Sequence, residues 1–339
     1  MAAMHSFHFL KPYSCSPITP SSLSPKYPYY FPQIPLRKFS SSTPPPLIFC
    51  SKSEPILQDS KESSASIVGD LLDYLNESWT HFHATVEAKR QLIAAGFHLL
   101  KENDAWDLKP GGRYFFTRNM SSLVAFAIGQ KYNAGSGFHV IAAHTDSPCL
   151  KLKPKSASLK SGYHMVNVQT YGGGLWHTWF DRDLSVAGRV ILKASDGVDE
   201  ITSVELNVCD TQPSCLVGVN DEFIFSGRLD NLASSYCALK ALVGSCEFPG
   251  DLASEHAIRM VALFDNEEVG LDSVQGAGAP TMFQAMRRIV DCLSQEYVRE
   301  NAFERAIRQS MRFIFAFELA STFVWRLFEV GVTGSMIYY

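Results

Sequence analysis

Three short polar clusters hold the residue types that could do chemistry. The first, His144-Thr145-Asp146-Ser147-Pro148, ends the apolar run that begins at Gly137. In an extended chain, positions i and i+2 face the same side. His144 could therefore bind a metal through one ring nitrogen while Asp146 orients the ring, a task carboxylates perform for zinc histidines. The plainer alternative is a strand-end histidine hydrogen-bonded by Asp146. The second cluster, Gly227-Arg228-Leu229-Asp230-Asn231, precedes an amphipathic stripe, so Asp230 is expected near a helix N-terminus. Capping alone explains an Asp there; the reading in which its two carboxylate oxygens bridge two cations gains weight only in company with the other clusters. The third, Asp265-Asn266-Glu267-Glu268-Val269-Gly270, follows the apolar stretch Met260 to Phe264. Three acids at a strand end repel one another unless a cation or water receives them. In the metal reading Glu268 is a ligand and Glu267 a general base that takes a proton from an activated water. In the other reading they form an acidic first helical turn favoured by the helix dipole.

Strands and helices must bring these clusters together. Apolar residues from Ile67 to Phe97 recur at helical spacing and break near Ser78, which predicts two helices. Arg113 to Thr117 and Ser122 to Ile128 read as short strands, and Gly137 to Ala143 as a central buried one. Between Lys151 and Val208 the pattern turns to short β segments (His164 to Tyr171, Gly188 to Lys193, Ser203 to Val208) separated by Gly and Ser clusters. Leu232, Tyr236, Leu239 and Val243 then form one helical stripe, and Ile258 to Phe264 is another apolar strand. The order predicts an α/β domain interrupted by a β-rich insert.

Composition narrows the function classes. The net charge of -4 and the lack of a basic cluster interleaved with aromatics argue against nucleic acid as a partner. The apolar stretch Met311 to Tyr339 is interrupted by Arg312, Glu318, Arg326 and Glu329, so it is not read as a membrane span. Eight scattered cysteines without a CxxC pair predict spectator thiols rather than disulfides or cysteine-bound zinc. No Asp or Glu occurs from Met1 to Ser53, whereas Ser, Pro and basic residues are dense. That composition predicts a transit peptide and location in the plastid stroma, with an unaddressed extension and a cytoplasmic location as the alternative. His177, between Trp176 and Trp179, is expected to be packed, and His139 and His256 structural.

Taken in order, HTDSP, GRLDN and DNEEVG resemble the aspartyl aminopeptidase family of zinc exopeptidases. The resemblance runs from about Ile67 to Ser310 and includes YGGGLWHTWFDRDLSVAGRV at 171–190, CDTQPSC at 209–215 and QGAGAPTMFQAMRRIV at 275–290. It implies a three-layer catalytic α/β domain with an inserted β-rich oligomerisation domain, two zinc ions, and release of N-terminal Asp or Glu from peptides. It assigns His144 and Glu268 as metal ligands, Asp230 as the bridging ligand, Asp146 as the orienter and Glu267 as the general base. It also implies homo-oligomers. Two segments depart from the family pattern. The insert is short after GRVILKASDG, and no histidine follows His256, so each zinc is expected to keep two of three protein ligands. The expected division is a transit peptide at 1–53, catalytic parts at 54–149 and 205–310, a remnant of the insert at 150–204, and an aberrant apolar tail at 311–339. The alternative function that follows is an inactive form, either an unstable product or a subunit associating with full-length family members.

Overall fold

A computed structural model describes residues 66–160, 162–193, 200–270, 272–294, 301–310 and 314–316, all within Glu62–Tyr339. The expected transit peptide lies outside these residues, as does all of the expected tail except 314–316. Two helices, α1 (Ile67–Glu77) and α2 (His81–Ala94), break where expected. Ser66 caps α1 by accepting a hydrogen bond from the Val68 backbone.

Six strands form a mixed sheet in the order β1-β2-β3-β11-β4-β12. They are β1 (His98–Leu99), β2 (Arg113–Arg118), β3 (Ser122–Ile128), β4 (Phe138–His144), β11 (Ile258–Phe264) and β12 (Ile314–Ala316). Central β11 runs antiparallel to β3 and parallel to β4, and β4 runs parallel to β12. Alternation along the strands divides the core into two faces. Phe126, Phe138, Val140, Met260 and Ala262 pack on one side with Met286 and Ile289 of α4 (Thr281–Leu293) and Phe303 of α5 (Ala302–Ser310). Phe115, Leu123, Ala125, Val261 and Leu263 pack on the other with Leu75, Leu92 and Leu239, from α1, α2 and α3 (Leu229–Gly244). This is the three-layer arrangement. Each fully buried leucine contributes about 1.5–3 kcal/mol relative to an exposed one.

The β-rich insert is a four-stranded antiparallel sheet in the order β6-β5-β8-β7, from β5 (Cys149–Lys160), β6 (Tyr163–Tyr171), β7 (Leu184–Lys193) and β8 (Glu200–Asp210). A two-stranded ribbon of β9 (Cys215–Val217) and β10 (Phe223–Phe225) leads back to the catalytic unit. Among the described residues no helix is long and apolar enough to cross a membrane. One expectation fails here: His177 is exposed, because Trp176 and Trp179 pack on each other, with ring centres 5.6 Å apart, rather than over it. His139 is half-buried in β4 and His256 is exposed.

Candidate metal centre

The parallel pairing of β4 with β11 sets His144 beside Phe264, so the first and third clusters leave adjacent strands at the same end. Thr145 fastens the join. Its backbone N–H donates to the Phe264 carbonyl at 2.8 Å, and its hydroxyl donates to the Ser121 carbonyl at 2.7 Å. From the helical layer, the Ser235 hydroxyl of α3 donates to the His144 carbonyl at 2.6 Å.

His144 is fully buried. Its Nδ1 lies 3.0 Å from the Asp146 carbonyl oxygen and 3.3 Å from Asp146 Oδ1. This turns Nε2 to Asp230, whose Oδ1 is 3.5 Å away. Asp146 has two further groups around it: the Tyr171 hydroxyl donates to its Oδ2 at 2.6 Å, and the Glu268 backbone N–H donates to the same oxygen at 3.2 Å. Burial would raise the Asp146 pKa, but His144, Tyr171 and the Glu268 N–H together hold the carboxyl below its ordinary value. Burial would likewise depress His144, yet Asp146, aided by Glu267 and Asp230, raises it.

Asp230 does not cap α3. Its backbone is non-helical, no side-chain cap bond forms at the helix start, and the carboxylate is 57% exposed as it faces His144. The capping alternative is thereby corrected. Arg228 occupies the position before the helix, and its long side chain turns inward instead of capping.

Asn266 adopts a left-handed conformation (φ 68°), which asparagine tolerates better than most residues. The chain therefore turns sharply after β11, and Glu267–Val269 form one 3₁₀ turn. Both glutamates are half-buried. Burial first, then the charges of Asp230, Asp146 and Glu267, push the Glu268 carboxyl up to about 7. Such crowding is relieved when a cation is present.

Two residues of β6 and its exit, Tyr171 and Gly172, were not singled out by sequence reasoning. Tyr171 is buried and supports Asp146. Gly172 has φ +75°, and a β-carbon there would collide with the Glu268 carboxyl oxygen Oε2. The signal was present in YGGG, where a tyrosine meets a glycine run. Spacing alone gave it no role.

The donor set suits zinc, which takes imidazole nitrogen and carboxylate oxygen. His144 Nε2 and Glu268 Oε1 are both buried with no hydrogen-bond partner, the state expected of atoms meant for a ligand. His144 and Asp230 face each other, and the charges of Asp230 and Glu268 are coupled. Among the described residues no group of three or more His, Cys, Asp or Glu side chains could hold a metal ion.

Comparison with known proteins adds independent evidence. Residues 74–200 and 194–316 match a family model described as aminopeptidase I zinc metalloprotease (M18). The chain is 41% identical to a probable aspartyl aminopeptidase of Ricinus communis, over 70% of this chain and 70% of that protein. It is 34% identical to the aspartyl aminopeptidase of Aspergillus oryzae, over 65% of this chain and 64% of that one. Among solved structures it is similar to a protein in the complex of Ape4 and Nbr1 (TM-score 0.67, 32% identity, 73% of this chain and 62% of that one). It also shares the fold of the Saccharomyces cerevisiae mApe1 dodecamer (TM-score 0.65, 22% identity, 74% and 70%).

Proposed function

Since this chain belongs to the aminopeptidase I zinc metalloprotease family (M18), we propose that it releases N-terminal acidic residues from peptides by zinc-dependent hydrolysis. The chain spans about two thirds of the length of the curated relatives it matches, 70% and 64% for the two above. Activity, substrates and partners are therefore part of the proposal.

Bound zinc supplies Lewis acidity, which lowers the pKa of a coordinated water from 15.7 to about 7 and polarises a substrate carbonyl. His144, Asp230 and Glu268 would hold two ions, with Asp230 bridging. Any further donors must come from outside the described residues or from another copy. Asp146 keeps the His144 ring turned so that Nε2 faces Asp230. Glu267 accepts the proton of the attacking water and returns it to the leaving amine, as a general base must when peptide C–N cleavage follows addition.

Self-association fits the exposed apolar residues of the inserted sheet, and an mApe1 relative is described as a dodecamer. The acid-rich, metal-gathering site gives no reason to invoke nucleic acid or membrane as partners. Import into plastids is proposed from the composition of residues 1–53 alone.

The observation that carries the hydrolytic reading is the pair of partnerless buried atoms, His144 Nε2 and Glu268 Oε1, beside a half-exposed Asp230. The first test is the initial rate on a peptide with N-terminal Asp, with zinc added. Activity should fall by at least ~10²-fold in Glu267→Gln, the usual scale of general-base catalysis, and vanish with a chelator. A folded, assembled sample with no activity would refute the reading.

A further inference from the structure

The inserted sheet joins the catalytic layers through a neck, and a thiol stands on each side of it. Cys149 is the first residue of β5, where the chain enters the insert, and Cys209 is the last but one of β8, where it leaves. In the β5–β8 pairing Leu150 is opposite Val208 and Lys151 is opposite Asn207. Carried one step further, the same antiparallel register sets Cys149 opposite Cys209. Residues so placed point to one face of a sheet with Cα atoms about 4.5 or 5.5 Å apart, inside the roughly 4.4–6.8 Å that a disulfide spans.

The side chains meet as the register requires. Both cysteines are free thiols, and both line one cavity of about 30 Å³. The cysteine nearest to Cys209 in sequence, Cys215, is instead opposite Phe225 in the β9-β10 ribbon. Cys209 is buried, and its thiol donates to the Trp79 carbonyl at 3.2 Å, a weak bond that one side-chain rotation gives up. Cys149 is half-buried, so solvent reaches it first. Burial raises the Cys149 thiol to about 12 and the Cys209 thiol to about 11, with Cys209 itself among the smaller influences on Cys149. Thiolate is therefore scarce and oxidation slow, but no stabilised thiolate holds the pair in its reduced form.

We propose that Cys149 and Cys209 form a reversible disulfide that clasps the neck of the inserted sheet, with hydrogen peroxide as the oxidant. The Cys149 thiolate attacks one peroxide oxygen, the O–O bond breaks, and a sulfenic acid and one water result. The Cys209 sulfur then attacks the sulfenic sulfur, which forms the S–S bond and releases the second water. Each sulfur gives up one electron and each thiol one proton, and both peroxide oxygens leave as water. Size selects this oxidant. A water needs roughly 10–15 Å³ of such space, so the cavity admits a molecule of peroxide size and excludes glutathione disulfide. The ring closed by the bond takes in β6, β7 and nearly all of β5 and β8, so the insert stays tied at its root even while its sheet opens.

The test uses the full chain and reads its covalent state, so its outcome is separable from that of the proposed hydrolysis. Folded, reduced protein is treated with hydrogen peroxide until the exposed Cys237 is oxidised, then digested without reductant and mapped by mass spectrometry. The peptides holding Cys149 and Cys209 should appear as one species, lighter by two hydrogens than their sum, and should separate when a dithiol reductant is added. A single protease cut within residues 150–208 should leave the oxidised chain as one band on a denaturing gel without reductant and as two bands with it. Cys209→Ser should give two bands in both lanes, and Cys149→Ser gives the same comparison if the first variant does not fold. Oxidised Cys237 with no Cys149–Cys209 link, a Cys209–Cys215 link in its place, or sulfinic acid at an unlinked Cys149 would overturn the proposal.

Discussion

Asp146 illustrates how one buried carboxylate is positioned by residues remote in sequence. Its Oδ2 accepts from Tyr171, 25 positions later, and from the backbone of Glu268, 122 positions later. Tyr171→Phe removes the first of these bonds and keeps the ring. The loss of a partner for a buried acceptor should lower stability by about 1–3 kcal/mol, read from denaturant melts. Because Asp146 orients His144, zinc affinity should also fall about 10–100-fold, read by competition with a chromophoric chelator. A melt that shifts while zinc affinity stays unchanged would assign Tyr171 to packing alone. His144, Asp146, Asp230, Glu267 and Glu268 were legible as chemistry because strand ends and acid clusters leave a mark in short windows of sequence. Tyr171 and Gly172 were not, since their roles come from a tertiary approach between β6 and the turn after β11. Asp230 was legible as polar and misread as a possible cap, because sequence does not record the irregular backbone that turns its carboxylate to His144.

At the scale of elements, Glu205 joins the inserted sheet to the catalytic layers through His81 and to its own neighbouring strand through Lys151. Glu205 of β8 lies 3.4 Å from His81 at the start of α2 and 2.9 Å from Lys151 of β5. The His81 hydrogen bond first, then that of Lys151, against opposing burial, lowers the Glu205 carboxyl from 4.5 to about 2. A depressed carboxyl contributes stability that is present above its unfolded value and lost as pH falls through its folded one. The urea midpoints of the wild type and Glu205→Gln should therefore differ most above about pH 5, and the gap should close between about 4.5 and 2. An unvarying gap would remove the ionised pair from the account. Strands β2, β3, β4 and β11 were legible because buried strands are apolar runs. β5 was not, although Lys151, Lys153 and Lys155 alternate as a half-exposed strand requires; Pro154 and the register shift between Leu152 and Ala157 mask the period. α4 was passed over despite a strong stripe of Met282, Met286, Ile289 and Val290, which a search at helical spacing would have found.

For the molecule as a whole, the inserted sheet presents a row of apolar side chains to water. Val186, Val190, Leu192, Ile201 and Val204 are all about half exposed. Contiguous apolar surface of this kind marks an interaction face. Val190 and Val204 are direct cross-strand neighbours at 49% and 48% exposure. Exchanging them for Lys and Glu places opposite charges side by side, which the sheet itself tolerates. Sedimentation should then show a smaller assembly with unchanged circular dichroism; an unaltered assembly would locate the contact elsewhere. The central position of β11 has a further result, which concerns the order of synthesis. β3 and β4 are made early, and the strand that lies between them starts at Ile258. At about 5–20 residues per second, the ribosome needs roughly 6–23 s to pass from His144 to Ile258. During that interval the apolar edges of β3 and β4 are without the neighbour they share, and by its end the described strands of the insert and of the β9-β10 ribbon have all been delivered. The polypeptide therefore finishes its appendage before it can close its centre.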